Sequence, residues 1–190
     1  MNALIINALE KKEELFKEIQ LNLQNDLRAD EYTYKWINVR EKNINICVGS
    51  GCMACQFKTP GLCIQNDDMD SIYPQLVKAD LLIFLTPISF GGYYSEIKKL
   101  IDRLLPLKIP VYTIYKGEMH HMNRYEKIPN LLFLGVLNDD MKYAQKVFAK
   151  LIKRNSMNFF SKKFDSLVIK NDMVPNDLQV EIKRKLRRVI

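Results

Sequence analysis

The residues best equipped for chemistry crowd into one short stretch. All 4 cysteines follow the spacing Cys47-x4-Cys52-x2-Cys55-x7-Cys63. Thiolates are soft ligands and good nucleophiles. Such a run suits a shared zinc, an iron–sulfur cluster, or a redox-active or regulatory thiol pair, chiefly Cys52 with Cys55. The competing reading is structural, because free cysteine is among the most buried residue types. Lys58 beside the pair would favour thiolate. Thr59-Pro60-Gly61 reads as a turn that returns the chain toward Cys63.

A second concentration is Thr86-Pro87-Ile88-Ser89-Phe90-Gly91-Gly92. Thr86 offers a hydroxyl, Pro87 fixes the backbone, and Gly91-Gly92 allow main chain to approach a flat ligand closely. Ser95 follows at the start of a helical pattern, where free amides favour an anion. An ordinary strand-to-helix turn would have much the same composition. His120 and His121 are the only histidines. Adjacent side chains tend to point apart, which favours packing or surface roles over a shared metal. Asp102-Arg103 reads as a structural ion pair late in a helix. Asp67-Asp68 reads as a capped helix start, lacking the third carboxylate of a cation site. No side chain stands out as a general acid or base.

The elements that must position these residues follow from composition and periodicity. The chain has 190 residues, 47% hydrophobic and 27% charged, which excludes disordered and fibrous classes and is read as a single domain over 1–190. No apolar run approaches the roughly 18 residues of a membrane span. The apolar stretch Ala3–Ile6 ends at Asn7 without a charged leader, so a cytoplasmic protein with reduced thiols is expected. A net charge of +7 favours anionic partners such as nucleotides. Nucleic acid is not expected, since no reader motif accompanies the charge. The basic tail Lys183, Arg184, Lys185, Arg187 and Arg188 reads as the solvated face of a last helix.

Short apolar runs alternate with amphipathic segments. Strands are predicted at Ala3–Ile6, Tyr32–Val39, Leu81–Leu85, Leu131–Val136 and Leu167–Ile169. Helices are predicted over about 11–27, 67–77, 95–105, 141–153 and 176–190. Leu81–Leu85 is the most hydrophobic run and is placed at the sheet centre. The long connection from Leu107 to Pro129 reads as a functional flap. The pattern is α/β: a five-stranded parallel sheet with helices on both faces, binding ligands beyond the strand ends after Ile6, Leu85 and Val136.

These motifs occur together in a known family. Cys52-x-x-Cys55, Lys58-Thr59-Pro60-Gly61, Cys63, Asp67-Asp68-Met69, Ala79-Asp80 and Thr86–Tyr93 keep the same order there, continued by Lys98 and Ile101-Asp102-Arg103. The chain resembles the flavodoxin-like NAD(P)H-dependent FMN reductases, on the branch that includes iron–sulfur flavoproteins. Gly117-Glu118-Met119-His120-His121, followed by Arg124-Tyr125, is similar to a signature of one cysteine-bearing subgroup. The resemblance is densest over residues 44–136. It implies a doubly wound sheet of order 2-1-3-4-5, with FMN at the strand ends. Thr86, Pro87, Ile88, Ser89, Phe90, Gly91 and Gly92 would lie along the flavin ring and ribityl chain, and Gly135 to Asn138 would border the ring. It also implies NAD(P)H as donor, an unidentified electron acceptor and a homo-oligomer. For His120 and His121 a flavin or substrate edge, or a dimer contact, is the alternative to packing or surface. Cys47, Cys52, Cys55 and Cys63 become candidate ligands of a [4Fe-4S] cluster, although the first gap is wider than CxxC.

One position departs from the family. The loop after the first strand, usually rich in Ser and Gly, reads Asn7-Ala8-Leu9-Glu10-Lys11-Lys12-Glu13-Glu14. Its three glutamates would repel a phosphate, leaving Asn7, Lys11, Lys12 and the helix N-terminus to hold one. Three readings follow: an FMN-dependent oxidoreductase, an iron–sulfur flavoprotein electron carrier, or a non-catalytic module that kept the scaffold.

Overall fold

Apolar residues recurring on both sides of a strand require cover on both sides, and the architecture supplies it. The computed structural model describes residues 1–11, 13–137 and 142–190. In chain order the elements are β1 (Asn2–Asn7), α1 (Glu14–Ala29), β2 (Thr33–Asn38), α2 (Ala54–Phe57), α3 (Met69–Lys78), β3 (Leu81–Ser89), β4 (Gly92–Tyr93) and α4 (Ser95–Asp102). There follow β5 (Lys108–Tyr115), β6 (Glu118–Asn123), β7 (Asn130–Leu137), α5 (Lys142–Phe159), β8 (Phe164–Lys170) and α6 (Pro175–Leu186). Met141, where the fourth helix was expected to begin, lies outside the described residues.

The main sheet runs β2-β1-β3-β7-β8, all parallel, with β4 turning back antiparallel onto the end of β3. This is the expected order, with Leu81–Leu85 at its centre. Leu4, Ile6, Phe84 and Phe133 face α3, α4 and α5, while Ile5, Ile83, Leu85 and Leu134 face α1 and α6. Phe84 and Phe133 stack with centroids 4.4 Å apart, joining the two central strands beneath the first layer.

The connection expected as a functional flap folds as an antiparallel hairpin, β5 with β6. Its turn, Lys116-Gly117, has φ of 51° and 81°, the paired left-handed geometry of a two-residue hairpin loop. Pro110 brings no N–H to the ladder, and the register shifts between Lys108 and Tyr112.

Candidate functional site

Strand order reverses between β1 and β3, and their carboxyl ends open the crevice where ligands of such sheets bind. The loop after β1 is closed on itself. Asn7 is buried; its amide donates to the Leu9 carbonyl (3.1 Å) and to Asn38 Oδ1 (3.0 Å), and its Oδ1 accepts the Leu9 N–H (3.0 Å). The Ala8 N–H donates to the Leu85 carbonyl at 2.8 Å. The amides a phosphate loop would turn outward are thus engaged inside the protein. Lys11 pairs with Glu41 at 2.6 Å, and Lys12 lies outside the described residues.

A cation that the sequence did not single out stands at this loop. Arg40, just past β2, donates from Nε to the Ala8 carbonyl at 2.6 Å, and its guanidinium sits 4.3 Å from the centroid of the Tyr94 ring. Glu10 is 3.9 Å from Nη1, too far for a tight pair. Arg40 therefore joins the ends of β1 and β2 to the start of α4, and about a third of its side chain remains exposed. Only the order of the sheet brings these segments together, so spacing carried no signal for it.

The loop after β3 is a tight hairpin. Phe90 and Gly91 have φ of 50° and 79°, a two-residue turn that returns β4 onto Ile88 and Ser89. The Phe90 ring is 97% exposed although its backbone is left-handed, a strain of about 1–2 kcal/mol for a residue with a Cβ. The Thr86 hydroxyl is buried, donating to the Pro87 carbonyl (2.9 Å) and accepting the Tyr94 N–H (2.8 Å), so it anchors the turn. The close approach made by Gly91 is to α5, where a Cβ would stand 2.7 Å from Val147. Ile88 is buried against Gly135, whose Cβ would fall 2.6 Å from it. Pro87 is half-buried, while Ser89 and Ser95 are exposed at the crevice end of β3 and the first residue of α4. Asn138, expected at the ring, lies outside the described residues.

The cysteines occupy a loop whose neck is sealed by buried charge. Asp67 and Arg103 pair at 2.6 Å with both side chains essentially inaccessible. Asp67 also accepts the N–H groups of Asn45 (2.9 Å) and Met69 (3.1 Å), and Arg103 donates to the Asn45 carbonyl. Burial opposes the Asp67 charge, but the Arg103 hydrogen bond and those amides outweigh it and hold the carboxyl below its ordinary range. Asp67 stands at the expected helix start, accepting the Met69 N–H, and in addition pairs with a distant arginine. One expectation is corrected: Asp102 and Arg103 do not pair with each other, since Asp102 takes Lys98.

Inside the loop, Pro60-Gly61 forms the expected turn, with Gly61 at φ 85° and the Leu62 N–H on the Thr59 carbonyl. Cys55 is buried, and Cys47, Cys52 and Cys63 are partly exposed free thiols. Burial pushes the Cys55 thiol up, and Cys63, Cys47 and Cys52 add to the shift. Lys58 is exposed, and burial rather than a nearby cation dominates at the Cys55 thiol. Among the described residues no three His, Cys, Asp or Glu side chains converge as a metal site. His120 and His121 alternate across β6: Nδ1 of His120 meets Asn158 Oδ1 at 2.8 Å, and Nδ1 of His121 the Ile109 carbonyl at 3.0 Å.

The family described as NADPH-dependent FMN reductase matches residues 1–125. This chain belongs to that family. An iron–sulfur flavoprotein of Methanocaldococcus jannaschii is 37% identical over 75 residues, 40% of this chain and 37% of that relative's length. An iron–sulfur flavoprotein of Archaeoglobus fulgidus is 26% identical over 191 residues, 87% of this chain and 80% of the relative. A solved NAD(P)H:quinone oxidoreductase from Methanothermobacter marburgensis superposes with a TM-score of 0.70 at 11% identity, covering 97% of this chain and 94% of its own, a likeness of fold. Membership of that family points to flavin-dependent redox chemistry. No helix among the described residues is long and apolar enough to cross a membrane.

At the strand-end crevice the exposed Phe90 side chain would meet a flavin ring, and the Arg40 guanidinium, rather than loop amides, would meet its phosphate. The cysteine loop does not fit a cluster as it stands, for want of convergent thiols.

Proposed function

We propose that the protein binds FMN at the ends of β1, β3 and β7 and passes electrons from NAD(P)H to an acceptor. When bound, the flavin supplies hydride acceptance and electron release. The chain's own residues bind and orient it. Pro87–Gly92 offers a rigid edge and the Phe90 ring. Arg40, held by the Ala8 carbonyl and the Tyr94 ring, presents its fork to the phosphate. Buried Ile88 and the closed Asn7–Leu9 turn keep water from the inner wall. The observation that carries this reading is the exposed Phe90 side chain on a strained, left-handed backbone near the point where strand order reverses.

The homo-oligomer draws support from Ile46, Val48, Phe57, Leu62 and Ile64, all exposed on the cysteine loop. The test is anaerobic: protein loaded with FMN is mixed with NADPH or NADH, and the flavin absorbance is followed. Bleaching, then turnover on adding a quinone, is expected. Protein that takes up no FMN, or bound FMN that neither nucleotide bleaches, would favour the non-catalytic module.

A further inference from the structure

A cavity of about 490 Å³ lies on the face covered by α3, α4 and α5, away from the crevice. None of Asn7, Arg40 or Pro87–Gly92 lines it. It exists because α4 stops at Asp102 whereas α5 continues to Phe159, and the β5–β6 hairpin closes the gap. Leu82, Leu104, Leu105, Ile128 and Leu151 give it an apolar wall.

Its charges are matched, with one exception. Lys98 pairs with Asp102, Lys127 with Asp80, and Arg154 with Glu118. Lys108 meets no carboxylate among the described residues. It donates to Asn123 Oδ1 and the Asn158 carbonyl and lies 4.9 Å from the centroid of the Phe160 ring. Burial alone draws its ammonium pKa down to about 8, the signature of a cation without a counter-ion. Beside it in the wall, His120 is more than nine-tenths buried and its Nε2 has no hydrogen-bond partner; the Glu118 carboxylate, already bound by Arg154, stands 3.5 Å away. Buried polar atoms are rarely left unpaired.

We propose that this cavity is a second ligand site, distinct from the flavin crevice, that takes an apolar monocarboxylate. The carboxylate would sit on the Lys108 ammonium beside His120, with its hydrocarbon or aromatic body along the leucine-rich wall. One uncompensated positive charge matches one negative charge. A phosphate dianion would bring excess charge against Asp102 and Glu118, and a neutral apolar molecule would leave Lys108 unanswered.

The probes are 2-naphthoate and its neutral counterpart 2-naphthalenemethanol, titrated calorimetrically into the full chain with and without saturating FMN. Saturable naphthoate binding is expected, at least about tenfold tighter than the alcohol and unchanged by FMN. In Lys108→Met the acid and the alcohol should bind equally. Equal binding of the two to the unaltered protein, no saturable binding, or displacement of naphthoate by FMN would each overturn the proposal. The comparison on the unaltered chain stands whether or not the variant folds.

Discussion

Arg103 and Asp67 form an ion pair buried at both ends, 2.6 Å apart, although 36 residues separate them in sequence. The pair joins the end of α4 to both sides of the neck of the cysteine loop, through the Asn45 carbonyl and N–H. Removing one partner leaves a buried charge alone. Asp67→Ala should therefore cost about 3–5 kcal/mol of stability by urea unfolding. A loss below about 1 kcal/mol would show that the neck relaxes without the pair.

The same pair sets an acid limit. The folded-state pKa of Asp67 lies below its ordinary value of 3.8, so the unfolded chain takes up the proton more readily. The stabilisation is complete above that value and is lost as pH falls through the lower folded-state value. Asp67→Asn should flatten this part of the stability–pH curve, measured by thermal unfolding between pH 5 and 2. An equally steep acid limb in the variant would assign it to other carboxylates.

The strained turn gives a prediction with two opposite signs. Phe90→Gly relieves the left-handed strain and should stabilise the flavin-free protein by about 0.5–1 kcal/mol, net of the greater freedom of the unfolded chain. The same change removes the stacking ring, so FMN affinity should fall, read by quenching of flavin fluorescence. A variant that is both less stable and equally good at binding FMN would refute this role for Phe90.

Arg40 separates the phosphate from the ring. Arg40→Ala should weaken FMN by about ten- to a hundredfold, the size of a charge-assisted hydrogen bond, while leaving riboflavin unchanged. Equal losses for both ligands would mean that Arg40 shapes the crevice without meeting the phosphate.

Cys55 should be the slowest of the four thiols to react with iodoacetamide, because burial and its neighbours hold it protonated. Peptide mass spectrometry over a time course gives the order, and early labelling of Cys55 would contradict its placement.

The parallel sheet was legible because β1, β3 and β7 are apolar runs, β2 is rich in aromatic and β-branched residues, and the helices between them show apolar residues at helical spacing. The hairpin escaped notice for a physical reason: Val111, Tyr112, Ile114 and Met119 are exposed, so no core-facing alternation marks β5 and β6. The Thr86–Gly92 loop was found at the crevice, yet the purposes of Gly91 and Gly135 there, clearance for Val147 and Ile88, depend on a helix and a strand remote in sequence. Arg40 and the Asp67–Arg103 pair were invisible on the same ground, since strand order alone creates those contacts.

The central claim is that a flavin rests against the Phe90 turn at the ends of β1 and β3. Hydrogen exchange read by mass spectrometry, with and without saturating FMN, tests it most directly. Slowed exchange in Ser89–Tyr94, in the loop after Asn7 and around Arg40, with the β5–β6 hairpin unchanged, is the predicted result. Saturating FMN that leaves all three segments exchanging as before would contradict it.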